Sequence, residues 1–144
     1  LHNLFGLQLT FSPLGVIVAE AFVALPFFVM AVESGLRSIE PKFEESAAVM
    51  GLSSNKRFSR VTLRLLAPAL LAGTAVAWAR ALGEFGATIT FAGNIEGRTQ
   101  TTPLAVYLLL ESNPEAAYAL SFVLLVVCVG VLVTMRDRWM GRRS

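Results

Sequence analysis

The run Ala116–Met135, AAYALSFVLLVVCVGVLVTM, is twenty residues long and carries no charge. A helix of about 20 apolar residues is what a hydrocarbon core of roughly 30 Å requires. A second run, Leu14–Val32, has 19 residues and one charge, Glu20. Between them LLAPALLAGTAVAWA, Leu65–Ala79, is uncharged and bracketed by Arg64 and Arg80. The whole chain is 55% hydrophobic and 15% charged, with a mean hydropathy of +0.64, outside the habit of water-soluble domains. Three buried core helices in a 144-residue soluble domain would leave too little amphipathic sequence to cover them. The pattern therefore predicts an all-α, polytopic transmembrane helical bundle with three spans.

Orientation follows from the basic residues, which are retained on the cytoplasmic side of span ends. Six lie between Glu33 and Arg64 (Arg37, Lys42, Lys56, Arg57, Arg60, Arg64), and four follow the last span (Arg136, Arg138, Arg142, Arg143). Only Arg98 lies between the second and third spans, and none precedes Leu14. The expected layout is an extracytoplasmic segment at 1–13, a span at 14–32, a cytoplasmic loop at 33–60, a span at 61–83, an outer segment at 84–114, a span at 115–135 and a cytoplasmic tail at 136–144. Trp139 is read as an interfacial anchor.

Several function classes drop out. The net charge of +2 reports topology, and no basic and aromatic residues interleave along a groove, so nucleic acid is not expected as a partner. Cys128 and His2 are single, which argues against a metal site, and no nucleophile is paired with a base. GNIEG, Gly93–Gly97, has neither the spacing nor the lysine of a nucleotide-binding phosphate loop. Opening on Leu1 with no signal-peptide pattern, the chain is expected to be the C-terminal part of a longer protein.

The cytoplasmic loop holds EESAAVMG, Glu44–Gly51. Ser38 or Glu40 ahead of Pro41 makes a helix start, Glu44 and Glu45 fall in its first turns, and Gly51 ends it. Ser53 or Ser54 then caps a new helix leading into the second span. A short helix of small residues with an acidic edge is a shape that another protein can grip, or it is a solvated connector.

These residues resemble the EAA loop of permease subunits in bacterial ABC importers: Glu45-Ser46-Ala47, three residues, Gly51, nine residues, then Val61-Thr62-Leu63. Ser46 stands in place of an alanine, and Arg64 in place of a proline that follows at Pro68. ARALGEFGATITFAGNIEGRTQTTPLAVY, Ala79–Tyr107, is similar to the corresponding stretch of molybdate and sulfate importer permeases, and GEFGATITF with TTPLAVY looks more like the molybdate members. The resemblance runs from about Gly6 to Trp139. It implies a coupling helix that docks on an ATPase subunit through Glu45, Ala47, Ala48 and Gly51. It also implies a second permease copy, a pair of ABC ATPase subunits and an extracytoplasmic molybdate-binding protein as partners, in the cytoplasmic membrane of a bacterium or archaeon, with lipid around the spans. No cofactor is expected on this chain, ATP and Mg belonging to the ATPase. By the same resemblance the chain is a transport subunit and not an enzyme.

Ala69, Gly73, Ala77 and Ala81 recur every four residues, with Ala79, Gly83 and Ala87 beside them, so that helix backbones can approach closely in lipid. Close packing within the subunit and a pore-lining role both fit. Arg80 and Glu84 are four apart on one helix face. They are either a mutually neutralising pair, or Arg80 attracts an oxyanion while Glu84 shapes an outer gate. Arg80, Gly83, Glu84, Phe85, Gly86 and Thr88 are accordingly assigned to the translocation path or outer gate. Thr88, Thr90, Thr99, Thr101 and Thr102 are available as donors to a tetrahedral anion. Glu20 is expected to face the bundle interior. The leading expectation is an importer of molybdate or tungstate. A sulfate or thiosulfate permease, and a non-transporting membrane scaffold, are the alternatives.

Overall fold

A computed structural model describes residues 10–140, with side chains through residue 134. Its elements are α1 (Pro13–Arg37), α2 (Pro41–Val49), α3 (Ser54–Arg57), a π-helical turn (Phe58–Thr62), α4 (Leu63–Leu82), α5 (Gly86–Ala92), α6 (Thr102–Ser112) and α7 (Pro114–Met140). Among the described residues three helices are long and apolar enough to cross a membrane: Pro13–Arg37, Ser54–Leu82 and Pro114–Thr134. Among the described residues the fold is all-helical.

Helix α1 starts where Ser12 Oγ accepts the Gly15 N–H at 3.1 Å and Pro13 opens the first turn. It runs through Pro26 and past Val32, where the apolar run stops, to Arg37. The extension into the expected loop is held by polar contacts. Arg37 pairs with Glu33 at 2.6 Å, and the Ser38 hydroxyl donates to the Gly35 carbonyl at 2.7 Å.

The second membrane helix likewise begins before residue 61. It is continuous from Ser54 through the π turn, whose closing bond runs from the Leu63 N–H to the Phe58 carbonyl. Its first turns carry Lys56, Arg57 and Arg60, so hydropathy does not reveal them. Residues 84–114, the expected outer segment, contain two helices, α5 and α6. At 11 residues α6 is about 16 Å long, too short to span, and it packs against α7. The third span begins at Pro114, where Asn113 Oδ1 accepts the Ala116 N–H at 3.2 Å, and the helix continues to Met140. Residues 1–9 of the expected outer segment, Arg142 and Arg143, and the side chains of Arg136, Arg138 and Trp139 lie outside what is described.

Packing centres on α1 against α4, with α5 on α1 and α7 on α4. The buried hydrophobic residues are mostly alanines (Ala19, Ala24, Ala47, Ala75, Ala92, Ala117), joined by Leu66 and Leu104. Small residues dominate because lipid supplies no hydrophobic drive between helices, leaving close packing to hold them together. The approach is tightest at two glycines. A Cβ on Gly35 would overlap the Ala69 side chain, and one on Gly73 would lie 2.9 Å from Ala31 Cβ and 3.4 Å from Phe28 Cδ2. Ala69 and Gly73 thus serve packing within the chain. At Gly83 an added Cβ would meet only carbonyls of its own helix, Ala79 at 3.7 Å and Arg80 at 3.9 Å. The large apolar side chains of α7, among them Phe122, Leu125 and Val129, are exposed, as suits a surface against lipid or further helices.

Candidate functional site

Two groups of expected residues stand at opposite ends of one helix. Thr62 and Arg80 are eighteen residues apart on α4 and its π turn, a separation of about 27 Å along the axis and close to the thickness of a hydrocarbon core.

At the first end α2 begins at Glu40, in extended backbone, with Pro41 in its first turn. It ends in a Schellman arrangement. The Gly51 N–H donates to the Ala48 carbonyl at 2.9 Å and the Leu52 N–H to the Ala47 carbonyl at 3.1 Å, while Gly51 takes φ +79°. Ser46, the departure from the EAA pattern, sits comfortably because its hydroxyl donates to the Lys42 carbonyl at 2.7 Å. The four residues expected to face a partner divide. Ala47 is 2% exposed, and α2 packs on α3 and the π turn, so Ala47 belongs to that internal contact. Glu45, Ala48 and Gly51 are exposed.

Sequence reasoning did not single out Val49 and Met50, which are 90% and 73% exposed at the tip of α2. Their signal was present: two apolar residues just before a helix-stopping glycine, in a loop outside the spans. Glu44 and Thr62 were read as a first-turn acid and as part of the EAA spacing, and their contact was missed. The Thr62 hydroxyl donates to Glu44 Oε1 at 2.6 Å, and Thr62 is 5% exposed. The two lie beside a cleft of about 230 Å³ lined also by Ser54, Arg57 and Phe58.

At the other end Arg80 pairs with Glu84 at 2.8 Å. Glu84 is buried just beyond α4, and its Oε1 accepts the Ala87 N–H at 2.8 Å, tying down the start of α5. That bond is the largest influence holding the Glu84 carboxyl below the ordinary value of 4.5; burial opposes it, and Arg80 and the Phe85 N–H reinforce it. The Arg80 guanidinium also lies 5.9 Å from the centre of the Phe27 ring. Glu20, half-buried on α1, is within electrostatic reach of Glu84. Arg80 is therefore paired with a buried carboxylate, which offsets its pull on an incoming anion and favours the neutralising-pair reading.

The remaining outer residues do not converge on one open site. The Phe85 ring meets Tyr107 of α6 with centroids 5.3 Å apart. Gly83 and Gly86 are exposed. Thr88 is fully buried with its hydroxyl unpartnered. The Thr90 hydroxyl donates to the Gly86 carbonyl, the Thr99 hydroxyl accepts the Ile95 N–H, and the Thr101 hydroxyl oxygen is buried without a partner. Among the described residues no group of three or more His, Cys, Asp or Glu side chains is placed to hold a metal.

Residues 3–142 match the family model described as "Binding-protein-dependent transport system inner membrane component". The chain is 43% identical over 133 residues to the molybdenum transport system permease protein ModB of Mycobacterium tuberculosis, covering 92% of this chain and 50% of that protein. It is 34% identical over 144 residues to the molybdenum transport system permease protein ModB of Escherichia coli K12, covering 100% of this chain and 63% of that one. It is also 39% identical over 143 residues to the sulfate transport system permease protein CysT of the same strain, covering 96% and 51%. The chain spans between half and two thirds of the length of these relatives.

Proposed function

The chain belongs to the family of binding-protein-dependent transport system inner membrane components, and on that premise we propose that it carries the coupling part of a molybdate importer permease. It is a multi-pass membrane protein. In the proposed assembly two permease copies enclose the path, two ATPase subunits bind ATP and Mg on the cytoplasmic side, and an extracytoplasmic binding protein delivers the oxyanion. The loop carrying α2 and the C-terminus face the cytoplasm, in keeping with the distribution of Lys and Arg. The similarity to molybdenum permeases along nearly the whole chain supports molybdate. The similarity to a sulfate permease keeps sulfate as the second reading.

The single observation that carries the reading is the form of α2. It is a nine-residue helix outside the three spans, closed by a glycine in the left-handed region, with Glu45, Ala48, Val49 and Met50 exposed. Two large apolar side chains at one tip suit burial in a cleft of a partner, where a few anchors carry most of the affinity. Nucleotide-driven closure of the ATPase pair then moves α2, and with it the spans.

Co-purification of the ATPase subunit with the permease tests this. Replacing Val49 and Met50 together by serine is expected to weaken retention at least tenfold, each anchor contributing roughly 1–2 kcal/mol. Retention equal to that of the unaltered permease would contradict docking through the tip of α2, and an unaltered permease that retains no ATPase would favour the scaffold reading.

A further inference from the structure

Helix α2 is joined to the rest of the chain by two short non-helical links, Ser38–Glu40 and Met50–Ser53, the second containing the left-handed Gly51. A nine-residue helix on two such links would pivot under load unless something fixed it to the membrane helices. Two contacts are in a position to do so: the burial of Ala47, and the hydrogen bond from the Thr62 hydroxyl to Glu44 Oε1 at 2.6 Å. Thr62 is the last residue of the π turn Phe58–Thr62, where α3 feeds into α4. A π turn holds one residue more per hydrogen-bonded ring than an α turn, and such turns concentrate at functional sites. The bond therefore joins α2 to the place where the long helix departs from regular winding. Glu44 itself is exposed, whereas Thr62 is 5% exposed.

We propose that Glu44 and Thr62 are positioning residues for coupling: their hydrogen bond carries the displacement of α2 into the base of α4, so that the docked ATPase drives the span instead of swinging α2 on its links. This rests on the reading of α2 as the coupling helix. It assigns the transmitting contact to residues separate from the exposed tip, Val49 and Met50, that would grip the ATPase.

The test uses the permease reconstituted in vesicles with its ATPase subunits and binding protein, comparing Thr62→Val, Thr62→Ser, Glu44→Ala and the Thr62→Val/Glu44→Ala double variant. Thr62→Val keeps the shape and removes the hydroxyl. It is expected to retain the ATPase while lowering substrate imported per ATP hydrolysed by about tenfold, the size expected for a lost hydrogen bond to a charged group. Thr62→Ser restores the donor and returns coupling to within about twofold of the unaltered protein. The double variant is expected to be no worse than either single one, as for two residues acting through one contact. Glu44→Ala, at an exposed position, gives the same information if valine at the buried site lowers the yield. Unchanged import per ATP in Thr62→Val and Glu44→Ala, a serine variant as impaired as the valine one, or multiplying losses in the double variant would overturn the proposal while leaving the coupling-helix reading intact. Failure of the unaltered permease to retain the ATPase would overturn both.

Discussion

Glu84 is held from two sides, by Arg80 at 2.8 Å through one carboxylate oxygen and by the Ala87 N–H at 2.8 Å through the other. One side chain thus joins the end of α4 to the start of α5 and neutralises a cation that would otherwise be left at the edge of a span. Removing it is expected to unfix α5 and strand Arg80. Loss of a buried partner costs about 3–5 kcal/mol when both charges are fully buried. Arg80 is more than a third exposed, so solvent screening brings the expectation for Glu84→Ala to about 1–3 kcal/mol. Thermal unfolding in detergent would measure it. Glu84→Gln, which keeps an acceptor for Ala87, should lose less.

The same residue sets a pH dependence. Its folded pKa is lowered, so its contribution to stability is present above the ordinary glutamate value of 4.5 and is lost as pH falls through the folded value below that. Melting temperatures taken from neutral pH down through this region should fall less steeply for Glu84→Gln than for the unaltered protein. Parallel curves for the two proteins would contradict the assignment.

The α1–α4 contact predicts a reversal of sign. In an exposed helix, Gly→Ala stabilises by about 1 kcal/mol. At Gly35 the new methyl would overlap Ala69, and overpacking of this kind costs about 1–3 kcal/mol. Gly35→Ala should therefore destabilise, and Ala69→Gly in the same chain should recover part of the loss, read by thermal unfolding of the two variants beside the unaltered protein.

Gly51 differs, because nothing lies within 4 Å of the position a Cβ would take. The demand there is conformational: φ +79° costs an ordinary L-residue about 1–2 kcal/mol, and asparagine less. ATPase retention should fall in the order Gly51, Asn, Ala, Val. A valine variant as good as the asparagine one would show that the turn is not needed.

What the sequence disclosed and what it hid follow from the solvent. The three apolar runs were legible because lipid demands near-continuous hydrophobicity, and Pro41 and Gly51 were legible because they fix backbone geometry. The ends of the membrane helices were not. Glu33–Arg37 is helical through an ion pair and the Ser38 hydroxyl at its end, and Ser54–Arg60 through continuity with α4, neither of which leaves an apolar run to follow. Helices α5 and α6 were hidden by their length, and by Gly86 at the start of one and Thr102 and Pro103 at the start of the other, although Pro103 falls in the first turn of α6, where proline is tolerated. The inward turn of Ala47, with Ala48 exposed beside it, is decided by packing on α3 and the π turn. The Glu44–Thr62 bond joins residues eighteen apart in sequence, and no local pattern signals it.

The most direct measurement is uptake of labelled molybdate by cells carrying the permease with its binding protein and ATPase, challenged by excess tungstate or sulfate, beside a Gly51→Asp variant. The account predicts uptake inhibited by tungstate and not by sulfate, and lowered in the variant. Inhibition by sulfate would transfer the same mechanism to the other oxyanion, and uptake unaffected by Gly51→Asp would contradict the claim that α2 couples transport to ATP hydrolysis.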